Sequence, residues 1–204
     1  MKVASVNSRK LKPLPELTVK HIQVIEQFEE LLEQGISNLT MSDIATKLKV
    51  SLRTLYEIAP SKEHLIISTL DRVLTNIGQK ASTSLQEVQS PLSKLKIYIE
   101  IGNEAVGPKI TKFTQDLNKI NGALEMINYH TDYFIGSIKK LLDEAVEHKE
   151  ITDIDTQAVA IALGGVPLMI SDIYYEGKLA LKDTPEATAN LVANLILESL
   201  ERRS

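Results

Sequence analysis

Within residues 40–67 the chain starts a helix three times, and this crowding constrains the fold more than any other stretch. Thr40 with Asp43 makes a capping-box-like start, in which hydroxyl and carboxylate satisfy free amides of a first turn. Ile44, Ala45 and Leu48 then share one face of a short helix. Ser51 caps a second short helix whose buried side is Leu55, leaving Leu52, Arg53 and Thr54 free near its N-terminus. Ser61, after Pro60, caps a third that carries Glu63 near its positive end and runs on through Leu65 and Ile66. Two short helices joined by the tight Leu48–Ser51 link form a helix-turn-helix, whose second helix can enter a DNA major groove.

From His21 to Ile67 the sequence resembles the DNA-binding domain of the tetracycline-repressor (TetR) family of bacterial transcription regulators. Phe28, Gly35, Thr40–Ala45, Val50-Ser51, Thr54-Leu55-Tyr56 and Pro60-Ser61-Lys62-Glu63 with Leu65 carry the resemblance. It departs at two places. The family usually has glycine where Lys49 sits, so Lys49 must hold a turn conformation that glycine adopts more easily. It usually has an aromatic pair at the positions of Ile58 and Ala59, so one corner of the small core is less filled. The resemblance implies a homodimer on a palindromic double-stranded DNA operator, usually a repressor released by a small-molecule effector. A regulator of the same fold controlled by a protein partner, or acting as an activator, is the alternative.

Composition sets the wider frame. A chain of 204 residues suggests one or two domains, and 43% hydrophobic with 25% charged residues is ordinary for a globular protein. The chain has no cysteine, which suits a reducing compartment and excludes thiolate chemistry. Its longest apolar run, Ala158–Ile170, is too short for a membrane span and reads as a buried helix. The N-terminus lacks the apolar core of a signal peptide, so a cytoplasmic protein is expected. The net charge of −4 hides an asymmetry, since residues 1–65 carry nine Lys/Arg against eight Asp/Glu. Placement matters more than the sum. Arg9, Lys10 and Lys12 form a basic N-terminal arm, and Lys47, Lys49, Arg53 and Lys62 punctuate the helix-turn-helix.

Along the chain, residues 1–15 read as a flexible arm, 16–67 as the DNA-binding domain and 68–204 as a ligand-binding and dimerisation domain. An amphipathic helix from Thr18 to Gln34 ends at Gly35, and the helix from Ser61 continues to about Leu85 as a stalk. Further helices are expected over 91–106, 109–120, 123–148, from Asp153 or Asp155 to about Tyr175, and from Thr184-Pro185-Glu186 to near Arg202. No alternating strand pattern of useful length appears, so the fold class is all-α.

The recognition helix places Leu52, Arg53 and Thr54 towards base edges, where arginine pairs with guanine and an apolar group meets the thymine methyl. The resemblance adds Tyr56 and Lys62 as phosphate contacts and Thr40 as a donor from its helix start. Lys49 adds charge, Ser51 supplies the cap, and Glu57 is expected to turn outward, away from phosphate. For the effector, an apolar face with placed polar groups is sought. Tyr98, Phe113, Met126, Tyr129, Tyr133 and Met169 supply the apolar part, with Asp116 and Asp172 among the polar candidates. The last two helices are expected to pair with their symmetry mates, Ala158, Ala162, Gly164 and Gly165 allowing close approach and Leu191, Leu195, Ile196 and Leu200 giving apolar contact. His21, His64, His130 and His148 have no metal-ligand spacing, and no serine sits in a nucleophile elbow. No catalytic residue, metal or cofactor is expected.

Overall fold

A computed structural model describes residues 17–33, 35–36, 38–106, 120–178 and 180–201, and among them there is no strand. The basic arm Arg9, Lys10 and Lys12, the helix expected over 109–120 and the candidates Phe113 and Asp116 lie outside the described residues.

The helix starts form as their side chains dictate. Thr18 Oγ1 accepts from the His21 amide at 3.2 Å and opens α1 (Val19–Glu33), which stops before Gly35 at φ +89°. Helix α2 (Met41–Lys47) carries a full capping box, with the Asp43 amide donating to Thr40 Oγ1 at 3.2 Å and the Thr40 amide donating to Asp43 Oδ2 at 2.8 Å. Ser51 caps α3 (Leu52–Ile58) and Ser61 caps α4 (Lys62–Ser84), each hydroxyl accepting the amide three residues on. Lys49 holds the turn between α2 and α3 at φ +55°, the left-handed region the glycine argument requires.

These four helices close on one core. Phe28, Ile44, Leu55 and Leu65 are fully buried, and Ile58 and Ala59 fill the corner where the family carries aromatics. A residue from far along the chain joins them: Ala123, flanked by the half-buried Ile120, Met126 and Ile127.

The second core lies between α5 (Pro91–Gly102), α6 (Ala123–Glu147), α7 (Thr156–Tyr175) and α8 (Pro185–Glu201), with Leu95, Ile99, Ile138, Leu142, Leu163 and Leu197 at its centre. Helix α6 packs on α5 and α7, and α7 packs on α8. Pro91 starts α5 behind the Ser90 cap, and Glu150 accepts from both the Ser90 hydroxyl and the Leu92 amide at 2.8 Å, tying the end of α6 to that start.

Two sequence expectations change here. The helix expected over 91–106 stays α-helical only to Gly102, and Asn103–Val106 form a 3-10 turn. Gly102 packs so closely on the Phe134 ring that no side chain fits there, and Asn103 is buried with its amide donating to Asn190 at 2.8 Å. The second change concerns α7. By length and composition it is apolar enough to cross a membrane, yet only 28% of its apolar window is buried. It is therefore not the buried helix the sequence suggested. Gly164, expected at an interface between copies, packs instead on Ile135 of α6 within the chain, while nothing approaches Gly165.

Candidate nucleic-acid interface

Helix α3 is amphipathic over two turns. Leu55 and Ile58 anchor it in the core, and Leu52, Arg53 and Tyr56 face out, Leu52 39% and Tyr56 52% exposed. The Arg53 side chain is 88% exposed. Ser51 holds the N-terminus twice, accepting from the Thr54 amide at 3.0 Å and lying 2.8 Å from the Thr54 hydroxyl. Thr54 is consequently turned inward, 8% exposed, which takes its methyl away from the base-facing side assigned to it from sequence. Its hydroxyl serves the cap instead.

Around α3, Thr40 and Lys49 are exposed, but the Thr40 hydroxyl already donates to Asp43 at 2.6 Å. Lys62 is also engaged: its ammonium donates to the Ile36 carbonyl at 2.7 Å and pins the loop after α1, a contact that competes with a phosphate role. Glu57 does turn outward, its side chain 45% exposed, but it is engaged there. Its Oε1 accepts from Arg53 Nε at 3.0 Å, and its Oε2 lies 3.7 Å from His21 Nε2 on α1. The Arg53 hydrogen bond holds the Glu57 carboxyl below its ordinary pKa, with smaller help from the Arg53 and His21 charges. The Arg53–Glu57 half was legible as an i,i+4 pair. His21 was not, because its neighbour is distant in sequence.

The effector candidates disperse. Tyr98 is buried and stacked on Phe134 with ring centroids 5.3 Å apart, and burial pushes its phenol up. Tyr129 and Tyr133 face outward at 67% and 63% exposure, because the buried stripe of α6 runs through Ala123, Ile138, Leu141, Leu142 and Ala145. Met126 packs on the N-terminal core. Met169 is 55% exposed. Asp172 lies at the surface by area, while desolvation, with Glu176 one turn on, raises its pKa. Tyr98 alone of the described aromatic candidates is inside. His130 is satisfied, its Nε2 lying 2.8 Å from Asp71 Oδ1 on α4.

Residues 28–69, which span α2 and α3 with the end of α1 and the start of α4, match the sequence model of "Bacterial regulatory proteins, tetR family". The helix-turn-helix segment is thus of the tetR-family type. That match supports a helix-turn-helix, DNA-binding transcription regulator. Solved structures share the fold over most of the chain. The fatty acid degradation regulator FadR from Bacillus halodurans is 21% identical, with a TM-score of 0.69 over 88% of this chain and 95% of its own. The TetR family transcriptional regulator PfmR from Thermus thermophilus is 19% identical, with a TM-score of 0.61 over 86% and 97%. A Saccharomonospora viridis protein, described as a transcriptional regulator in complex with choline, is 16% identical, with a TM-score of 0.72 over 88% and 95%. No functionally curated protein matches the sequence. At these identities the structural likeness establishes the fold: an N-terminal helix-turn-helix domain followed by a helical C-terminal domain.

Proposed function

We propose that this tetR-family chain is a homodimeric repressor, acting in the cytoplasm, that leaves a palindromic operator when a small apolar or aromatic molecule binds. Residues 16–67 form its DNA-binding domain and 68–204 its ligand-binding and dimerisation domain. The observation that carries the DNA reading is the two-sided α3, with Leu55 and Ile58 holding the core while Leu52, Arg53 and Tyr56 face outward. Leu52 and Arg53 read base edges. Tyr56 and Lys49 hold phosphates, with Thr40 and Lys62 beside them.

Dimerisation is supported by the uncovered side of the last two helices. Ile161 and Met169 on α7 and Leu191 and Leu195 on α8 are each more than half exposed, between 53% and 58%. One two-turn recognition helix makes too few base contacts for a unique site, and a two-fold axis doubles the reading. For the effector, the buried Tyr98–Phe134 stack offers an aromatic wall. Tyr129 and Tyr133, with Leu124 at 58%, present an exposed surface on α6, and this favours a second reading in which a protein partner controls the regulator.

The test is a gel shift on duplex DNA from upstream of the protein's own gene, repeated with a panel of apolar and aromatic small molecules. A salt-sensitive shift that a panel member reverses supports the proposal. No shift on that DNA or on duplexes selected from a random library overturns the DNA reading. A shift that only a protein partner reverses supports the second reading.

A further inference from the structure

We infer that Glu57 is a positioning residue for base reading, gripping Arg53 by its Nε so that the two terminal guanidinium nitrogens face the DNA, and that His21 holds Glu57 in turn. The inference rests on the reading of α3 as the recognition helix. Arg53 stands in the first turn of α3, 88% exposed, and its long side chain would otherwise sample many rotamers. Its Nε donates to Glu57 Oε1 at 3.0 Å, one helical turn further on. A guanidinium is a planar fork of five donors. With the Nε proton engaged, both terminal nitrogens remain for the paired acceptors O6 and N7 of guanine.

The grip is itself anchored. Glu57 uses its second oxygen, Oε2, towards His21 Nε2 at 3.7 Å, so the two oxygens serve two different partners. The Thr18 amide points at the other ring nitrogen, His21 Nδ1, at 3.5 Å, so the ring has a contact at each nitrogen. The His21 side chain is only 14% exposed and sits on α1, whose Val24, Ile25 and Phe28 lie in the core. A continuous path thus runs from the domain core through His21 and Glu57 to the arginine fork. It also accounts for an acid on a face meant for phosphate: Glu57 costs general affinity through repulsion and returns discrimination through Arg53.

The experiment uses full-length protein, duplexes that the wild-type chain selects from a random library, and single-base variants of them, titrated by fluorescence anisotropy at one salt concentration. Glu57→Ala is expected to bind unrelated duplex several-fold more tightly, since an acid has gone. Its preference at one base pair per half-site should fall by about tenfold, the scale of a single bidentate contact. Glu57→Gln keeps an acceptor for Nε and should retain most of that preference. An equal gain on matched and mismatched duplexes overturns the inference, because Glu57 then only repels DNA. Uniform loss on all duplexes with a lowered Tm overturns it too, because the role is then structural. Arg53→Ala separates this from the reading beneath. If it changes no base preference, Arg53 does not read bases and the parent reading fails. If it abolishes a preference that Glu57→Ala leaves intact, only the positioning inference fails.

Discussion

His130 Nε2 on α6 meets Asp71 Oδ1 on α4 at 2.8 Å, joining the helix that leaves the DNA-binding domain to the longest described helix of the C-terminal domain. Just before it on α6, Ala123 is buried in the N-terminal core with Met126 and Ile127 against it. The DNA-binding domain is therefore clasped from two directions, by its own covalent continuation in α4 and by the start of α6. Any effector that shifts α6 acts on the recognition helix through this clasp, and DNA must then weaken the effector by the same factor. Asp71→Ala is expected to cost under about 1 kcal/mol of stability, since the Asp71 side chain is 50% exposed. Amide hydrogen exchange in the first turns of α6 should quicken more than in α5. Unchanged exchange there would show that the apolar contacts of Ala123, Met126 and Ile127 hold the clasp alone.

Lys49 offers opposed readouts. At φ +55° a side chain costs more than glycine does, so Lys49→Gly should stabilise the domain by about 0.5–1 kcal/mol. If Lys49 also neutralises a phosphate, the same variant binds DNA more weakly, and the slope of log affinity against log salt falls by about one. Thermal melts and salt titrations check the two signs separately. A Tm gain with an unchanged salt slope would leave Lys49 as a turn residue only.

If the uncovered face of the last two helices is the subunit interface proposed above, polar substitution there should change the oligomeric state. Leu191 and Leu195 are 57% and 58% exposed, so a paired Leu191→Lys and Leu195→Lys substitution should leave the single-chain core intact. Sedimentation is expected to show a dimer for the wild type at micromolar concentration and a monomer for the variant, with operator affinity falling more than tenfold. A wild-type monomer would remove the interface.

Acid should loosen the chain in a predictable order. The bonds from Thr40 hold Asp43 below its ordinary pKa, and those from Lys139 and Thr156 do the same for Asp143. Their stabilising effect is present above the ordinary aspartate value of 3.8 and is lost as pH falls through the lowered folded values. Asp172 runs the other way: desolvation raises it, so its charge is unfavourable at neutral pH and protonation relieves the cost. Asp43→Asn should therefore flatten the acid limb of a Tm-against-pH curve. Asp172→Asn should raise Tm at pH 7 and lose that advantage in acid.

What could be read from sequence was whatever a few neighbouring residues decide. Thr40 with Asp43, Ser51 and Ser61 start their helices by satisfying amides within three residues, and Gly35 and Gly177 follow helix ends at positive φ. Such local chemistry needs no knowledge of the rest of the chain, and it sufficed for the all-α class and the helix-turn-helix. Tertiary structure decided which side of each helix meets a neighbour. Tyr129 and Tyr133 have the same helical spacing as a buried stripe, but the stripe of α6 that α5 and α7 cover runs elsewhere, so both face out. Thr54 and Lys62 have the chemistry for DNA, yet one is drawn into the Ser51 cap and the other to the Ile36 carbonyl. Glu57 found His21 across 36 residues of chain, and Asp71 found His130 across 59, because packing α1 on the helix-turn-helix and α6 on α4 brought them together. A periodic pattern states that a face is apolar. Only the assembled helices determine whether that face lies against a neighbour or remains open.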